Sequence, residues 1–235
     1  MKDHSPAFYR IYRFLLSLAL PLYLRFGYRL KTPTPPGPKI IVGNHPMVWD
    51  VFPSVVIFKK DFVHHLIEDQ IWSLPLTRLI LTLTNQIKMN RGVKSMQSMR
   101  ESLYWLKRGQ SLVVAPEGER TSVSDTRQAT RGIVWLAERA RVPLIPAGLW
   151  ISDEDLVTSQ VRYHFKNRSY TVESFFPRFR GRYFLLFGEP IPLDQYYGKR
   201  LTTKKRQEIA DRVLDEIYKL RDEARRICEK RDGRT

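Results

Sequence analysis

The sequence predicts an α/β fold: a central, mostly parallel or mixed sheet covered by helices on both faces, with an N-terminal interfacial helical segment. Three observations predict it. Between residues 39 and 190, short β-branched or aromatic runs alternate with amphipathic stretches of helical period. Several of these runs, such as IIV at 40–42 and LVV at 112–114, are apolar throughout, as in strands buried on both sides. An apolar segment at 14–24 stands apart, flanked by cations and followed by a Pro-rich stretch.

The elements follow in chain order. Residues 14–24 are mostly apolar and are interrupted by Pro21; Tyr9, Tyr12, Tyr23 and Tyr28 lie around the ends, with Arg10, Arg13, Arg25, Arg29 and Lys31. As a helix this stretch is about 16 Å long, roughly half of a hydrocarbon core, and is too short to span a bilayer by itself. It suits the interface, with its apolar face sunk and its cations at the headgroups; an ordinary core helix is the alternative. No small-residue cleavage site follows, which argues against a signal peptide. The boundaries read as a membrane-interface helical segment at 1–31, a stiff Pro-rich linker at 32–38, and an α/β domain with a C-terminal amphipathic helix at 39–235.

Within that domain, strands are expected at 39–44, 63–67, 86–89, 111–115, 143–149 and 183–187. Helices are expected at 51–58, 71–83, 94–107 and 128–141. In the tail from 202 to about 231, Ile209, Val213, Ile217, Leu220, Ala224 and Ile227 recur at steps of three and four. That is one helical stripe, which docks on the body and leaves a basic face to water.

Composition narrows the function classes. With 235 residues and 43% hydrophobic content, the chain can fill the core of one domain and is not a disordered polyampholyte. Cys228 is the single cysteine, which excludes an internal disulfide framework and a thiolate metal cluster and fits a cytosolic address. A net charge of +16 asks for an anionic partner: nucleic acid, an anionic membrane surface, or phosphates. The first 60 residues carry nine basic against two acidic residues, so nearly half of the excess surrounds the apolar segment. No RRM, helix-turn-helix or zinc-finger pattern occurs, and nucleic acid is not an expected partner.

Missing motifs narrow the chemistry further. G-x-S-x-G, the P-loop, G-x-G-x-x-G after a strand, H-E-x-x-H and C-x-x-C are all absent. Three segments follow expected strands: NHPMVWD at 44–50, NRG at 90–92 and PEGERT at 116–121. Ligands of open α/β sheets bind beyond the carboxyl ends of strands, so these segments can converge on one site. A carboxylate at Asp50 that accepts the proton of one ring nitrogen of His45 would leave the other nitrogen free to act as a base. Asp50 as a plain helix cap and His45 as a turn residue is the structural alternative. Arg91 and Arg120 are isolated cations beside glycines and could form a guanidinium pair for a phosphate; each could equally be a surface ion-pair partner. Glu117 could bond ligand hydroxyls or simply nearby backbone.

The order of these blocks is more specific than any one residue. N-H-x-x-x-x-D, a later strand ending before an Arg, P-E-G-x-R, V-P-L-I-P-A-G at 142–148 and G-E-P-I at 188–191 together resemble the glycerophospholipid acyltransferase family, including 1-acylglycerol-3-phosphate acyltransferases. The resemblance covers about residues 39–190. It implies that His45 deprotonates an acceptor hydroxyl, that Asp50 orients His45, and that Arg91, Glu117, Gly118 and Arg120 bind the acceptor's phosphate and glycerol. Asn44, Thr121, Arg131, Pro143 and Pro146 would support the site. The donor would be acyl-CoA or acyl carrier protein, the acceptor a lysophosphatidate-like lipid, and no metal or other cofactor is expected. A peripheral or monotopic enzyme on the cytoplasmic face of an anionic membrane follows.

The departures matter as well. Ala115 and Glu119 replace the usual aromatic and threonine of the third block, and Thr130 stands where a lysine is common. Glu119 puts a carboxylate beside the arginine expected to meet phosphate, so another lyso-lipid or a glycolipid acceptor, or a non-catalytic lipid-binding member of the fold, stays open. His64 and His65 could line the site or bind metal; adjacent strand residues point to opposite faces, which favours a structural pair.

Overall fold

The computed structural model describes residues 6–89, 95–117, 129–165 and 168–231. In chain order the elements are α1 (Pro6–Tyr23), β1 (Arg25–Leu30), β2 (Ile40–Gly43), α2 (Val51–Ile57), β3 (Val63–Glu68), α3 (Pro75–Leu83) and β4 (Ile87–Met89). There follow α4 (Ser95–Lys107), β5 (Ser111–Val114), α5 (Gly132–Ala140), β6 (Leu144–Ile151), β7 (Leu156–Phe165), β8 (Arg168–Pro177), β9 (Arg182–Phe187) and α6 (Thr203–Arg231). Among the described residues one sheet has seven strands in the order β1-β9-β6-β2-β5-β3-β4, and β7 and β8 form a separate antiparallel hairpin.

The sheet is mixed because of a single reversal. β2, β3, β4, β5 and β6 run parallel to one another, whereas β9 pairs antiparallel with β6 and carries β1 parallel beside it. The hairpin lies between β6 and β9 in the chain and makes that reversal possible without a crossover helix. The carboxyl ends of β2, β5 and β4 therefore share an edge with the amino ends of β9 and β1.

Period-two alternation sorts the strand side chains into two cores. Ile40, Val42, Leu112 and Leu144 face α4, α5 and α6, together with Trp105, Ile133 and Ile217. Ile41, Ile145, Leu185 and Phe187 face the other way and pack with Leu20, Met47 and Phe58 under α1 and α2. Helices thus cover both faces.

Two corrections concern the N-terminal region and the hairpin. Residues 25–30 are not part of a helical segment: they form β1, whose Phe26 pairs with Tyr183 and whose Leu30 pairs with Phe187. Among the described residues of the segment expected at 1–31, the helix is α1, which runs through Pro21 in its last turn. β7 and β8 lie where no strand was expected; the alternation of Val157, Ser159, Val161 and Tyr163 is the pattern that marks them. The helix expected at 71–83 divides into a 3-10 turn at Asp69–Ser73 and α3, which starts at Pro75, a residue suited to the first helical turn.

α1 is docked by specific bonds. The Tyr9 hydroxyl accepts the Val63 N–H at 2.9 Å and lies 3.2 Å from the Val63 carbonyl, while the Arg13 guanidinium donates to the Lys59 and Asp61 carbonyls. Its outer face stays bare: Ile11, Phe14, Leu15, Leu18 and Leu22 are exposed, Leu22 to 70%.

α6 lies directly on β6. A Cβ built on Gly148 would meet the backbone of Leu220 and Arg221 at 2.0–2.2 Å, so only glycine lets the two backbones approach this closely. Pro146 sits at the end of the β6–β9 ladder, where its missing N–H costs nothing, and its carbonyl accepts from Gly188 at 2.9 Å. The Pro143 carbonyl accepts from Ile40 at 3.1 Å and starts the β2–β6 pairing.

His64 and His65 are both buried and point to opposite faces. The His64 ring stacks on Trp105 at 4.5 Å, and its Nδ1 donates to the Asn85 carbonyl at 2.7 Å. On the other face, the Gln86 amide oxygen accepts from the His65 N–H at 2.7 Å and from Nδ1 at 2.9 Å, which leaves Nε2 to the Ser54 hydroxyl at 2.8 Å. Burial pushes the His65 imidazole down to about 4, against a smaller opposing effect of the Gln86 bond.

Two outcomes follow. Gly148→Ala forces β6 and α6 apart and should cost about 3 kcal/mol in urea or thermal unfolding. Unfolded His65 takes up a proton at its ordinary value of 6.5, whereas in the fold it does so only at about 4. Stability should therefore fall as pH drops through that window, by about 3 kcal/mol in all. The loss should be read as the difference between the melting profiles of wild type and His65→Asn, the variant's profile being flatter.

Candidate active site

The segment after β2 is shaped by Asn44. Its amide group bonds Leu149 in both directions, Nδ2 to the carbonyl at 2.9 Å and Oδ1 from the N–H at 2.8 Å, clamping the end of β2 to β6. Met47 is fully buried and plugs the core beneath the turn. On the outer side, the Val48 N–H donates to the Phe175 carbonyl of β8 at 3.0 Å, and Trp49 packs on Tyr23 of α1 at 4.8 Å. Three separate elements thus fix the seven residues that carry His45 and Asp50.

Within that turn, His45 Nδ1 lies 2.8 Å from Asp50 Oδ2, and the Met47 N–H donates to the same oxygen at 3.1 Å. Asp50 immediately precedes α2 but makes no side-chain cap bond to it. Its carboxylate is spent on the imidazole, which rules out the plain capping role. His45 is 28% exposed on its side chain and Asp50 only 8%. Burial raises the Asp50 carboxyl above its ordinary value, and the bond and charge of His45 oppose this rise. The third donor comes from β9: the Tyr183 hydroxyl lies 3.4 Å from Asp50 Oδ1. Burial and the neighbouring carboxylate hold the Tyr183 hydroxyl well above its ordinary value, so it remains a donor. With Nδ1 bound to a carboxylate, the imidazole keeps Nε2 free as a proton acceptor.

The pair borders a largely apolar cavity of about 650 Å³. Its walls come from α1 (Tyr12, Leu16), the 3-10 turn and α3 (Ile71, Ile80), and the hairpin (Val161, Phe176). That volume falls in the range of sites that enclose most of a small organic ligand. Met89 and Ala115 also line it; they precede the segments that carry Arg91 and Arg120. Hence the ends of β2, β4 and β5 converge, as the sequence pattern implies. Arg91, Gly118, Arg120 and Thr121, with Glu119, lie outside the described residues.

The remaining expected residues divide. Glu117 is described, and its carboxylate accepts from the Tyr218 hydroxyl of α6. Arg131 is exposed just before α5, with its carbonyl bonded by Trp135 at 3.2 Å, and it does not line the cavity. Pro143 and Pro146 serve the sheet. Tyr183 is the residue that motif spacing misses, since it reaches Asp50 from an element far along the chain. Among the described residues no three His, Cys, Asp or Glu side chains gather as a metal site.

Comparison with known proteins agrees with this architecture. No curated protein matches the chain. Among solved structures, the fold is similar to the crystal structure of the 1-acyl-sn-glycerophosphate (LPA) acyltransferase PlsC from Thermotoga maritima. The TM-score is 0.61 at 18% identity, covering 89% of this chain and 79% of that one. The domain family described as Acyltransferase matches residues 25–150, from β1 to β6, which is more than half of the chain. The protein therefore belongs to the acyltransferase family.

Proposed function

We propose that the protein moves a fatty acyl group from acyl-CoA or acyl carrier protein to a hydroxyl of a lysophosphatidate-like glycerolipid, with His45 as general base and Asp50 as its orienting carboxylate. The observation that carries this reading is the 2.8 Å pair of His45 and Asp50 at the border of an apolar cavity. Nε2 of His45 takes the proton of the acceptor hydroxyl as its oxygen attacks the thioester carbonyl. The tetrahedral intermediate collapses, the C–S bond breaks, and the thiolate leaves and recovers the proton from His45. Asp50 stabilises the imidazolium between these two transfers. The thioester supplies the leaving group, so no metal or further cofactor enters the scheme. Arg91, Glu117, Gly118 and Arg120 are proposed to hold the acceptor's phosphate and glycerol.

We also propose that the enzyme acts on a membrane surface from the cytoplasmic face. Among the described residues no helix is long and apolar enough to cross a membrane. α1 nevertheless leaves a row of large apolar side chains bare, and Leu76 and Leu79 of α3 are exposed by 70% and 56%. Both helices also line the cavity. An apolar surface beside an apolar cavity supports insertion into the headgroup layer, where an acceptor's acyl chain enters the site without crossing water.

The reading has two measurable outcomes. His45→Ala should lower thiol release from acyl-CoA in the presence of lysophosphatidate by at least about a hundredfold, while the melting temperature holds; undiminished release would remove His45 from the mechanism. In flotation assays the protein should partition onto phosphatidylglycerol vesicles. Leu15→Asp with Leu18→Asp should leave it in solution, and unchanged flotation of that variant would dismiss α1 as the anchor.

A further inference from the structure

We propose that Tyr183 is a positioning residue of this site, its hydroxyl holding the Asp50 carboxylate ionised and aimed at His45. The inference rests on the reading of His45 and Asp50 as base and orienting carboxylate. It adds a residue from β9, outside the family-matched stretch of 25–150.

The two oxygens of Asp50 have different partners. Oδ2 is shared by His45 Nδ1 and the Met47 N–H, at 2.8 and 3.1 Å. Oδ1 faces the Tyr183 hydroxyl at 3.4 Å, a long bond and, among the described residues, the hydrogen bond made to that oxygen. An anionic oxygen out of water without a donor is costly, and one hydroxyl dipole offsets part of that cost. The hydroxyl is fixed by the sheet rather than by a mobile surface: Tyr183 is 1% exposed and its ring stacks over Phe26 of β1 at 6.3 Å. Its placement follows from the reversed strand. β6 runs four residues past the end of its pairing with β2, and Tyr183 pairs with Ile151 at the tip of that overhang. This sets the ring level with the turn that carries Asp50.

The titratable neighbours are few. On its own turn Asp50 meets His45. From β9 it meets Tyr183. His65 and Glu68 of β3 and Tyr12 of α1 face the shared cavity, and α2 contributes no ionisable side chain. Protonating the His45–Asp50 pair either puts a charge on the imidazole or neutralises the carboxylate. Tyr183 opposes the second of these states, because its bond favours the anion. Removing the hydroxyl therefore raises the proton affinity of the pair, and the base is lost at higher pH than in the wild type.

The test uses the full chain. Wild type and Tyr183→Phe are compared for thiol release from acyl-CoA with lysophosphatidate between about pH 5 and about pH 9, and the His45 imidazole is titrated by NMR in both. The acid limb of kcat/KM should move up by about one unit, so that kcat at a pH below that limb falls about tenfold. It should recover in the alkaline range, with KM for both substrates unchanged. The His45 titration should move by the same amount. Superimposed profiles, or a uniform loss at every pH with an unmoved titration, would overturn the proposal. His45→Ala is assayed in parallel: if it still turns over, the base reading fails, and the NMR titration alone decides the role of Tyr183. Because Tyr183→Phe strips a buried carboxylate of a donor, it is also made together with Asp50→Asn. A drop in melting temperature, or unfolding, in the wild-type background but not in the Asp50→Asn background supports the contact. Equal drops in both backgrounds overturn it.

Discussion

The structure turns on the two edges of β6. On one side the strand pairs in parallel with β2, and on the other it pairs antiparallel with β9. A purely parallel sheet brings only strand ends to its ligand-binding edge. The reversal at β6 adds two strand starts to the same edge, those of β9 and β1. It therefore sets the end of α1 and the phenol of Tyr183 beside the turn that follows β2. β6 also carries the anchor of that turn, through the double bond of Leu149 to Asn44, and the glycine that lets α6 lie on the sheet.

The site is an exercise in keeping a charge in a dry place. Burial works against the Asp50 anion, and the fold answers with donors from three sources: the imidazole of His45, the backbone of Met47 and the hydroxyl of Tyr183. The same apolar walls that make the carboxylate costly strengthen its attraction for an imidazolium. A cavity of about 650 Å³ bounded by aliphatic and aromatic side chains suits an acyl chain. His65, which lines the same cavity, is held neutral by burial and does not compete as a cation.

The net charge of +16 is divided among different duties. Arg13 is consumed by backbone carbonyls that fasten α1, Lys31 pairs with Glu223 of α6 at 2.6 Å, and Lys39 is buried against Asp61 at 2.7 Å. Arg10 of α1 and Arg25 and Arg29 of β1 remain exposed. Contact of Tyr23 with Trp49 joins α1 to the His45–Asp50 turn, so α1 and the candidate base form one packed unit.

Local pattern carried most of the fold. Apolar runs such as IIV and LVV mark central strands because both of their faces are buried, and the three- and four-residue steps of α6 mark its docking stripe, since these follow from backbone geometry alone. The five-residue step from His45 to Asp50 suffices for a turn to join them, and the block order suffices for the family. What the sequence could not determine is direction and distance between remote segments. Whether β9 enters the sheet parallel or antiparallel is not written in RYFLLF; it depends on the hairpin that precedes it and on the free edge of β6. RFGYRL at 25–30 became a strand only because β9 offered that edge. Likewise, the contacts of Tyr183 with Asp50 and of Tyr218 with Glu117 join residues 133 and 101 positions apart. Such long-range hydrogen bonds have no local periodicity and exist only once the sheet has closed over them.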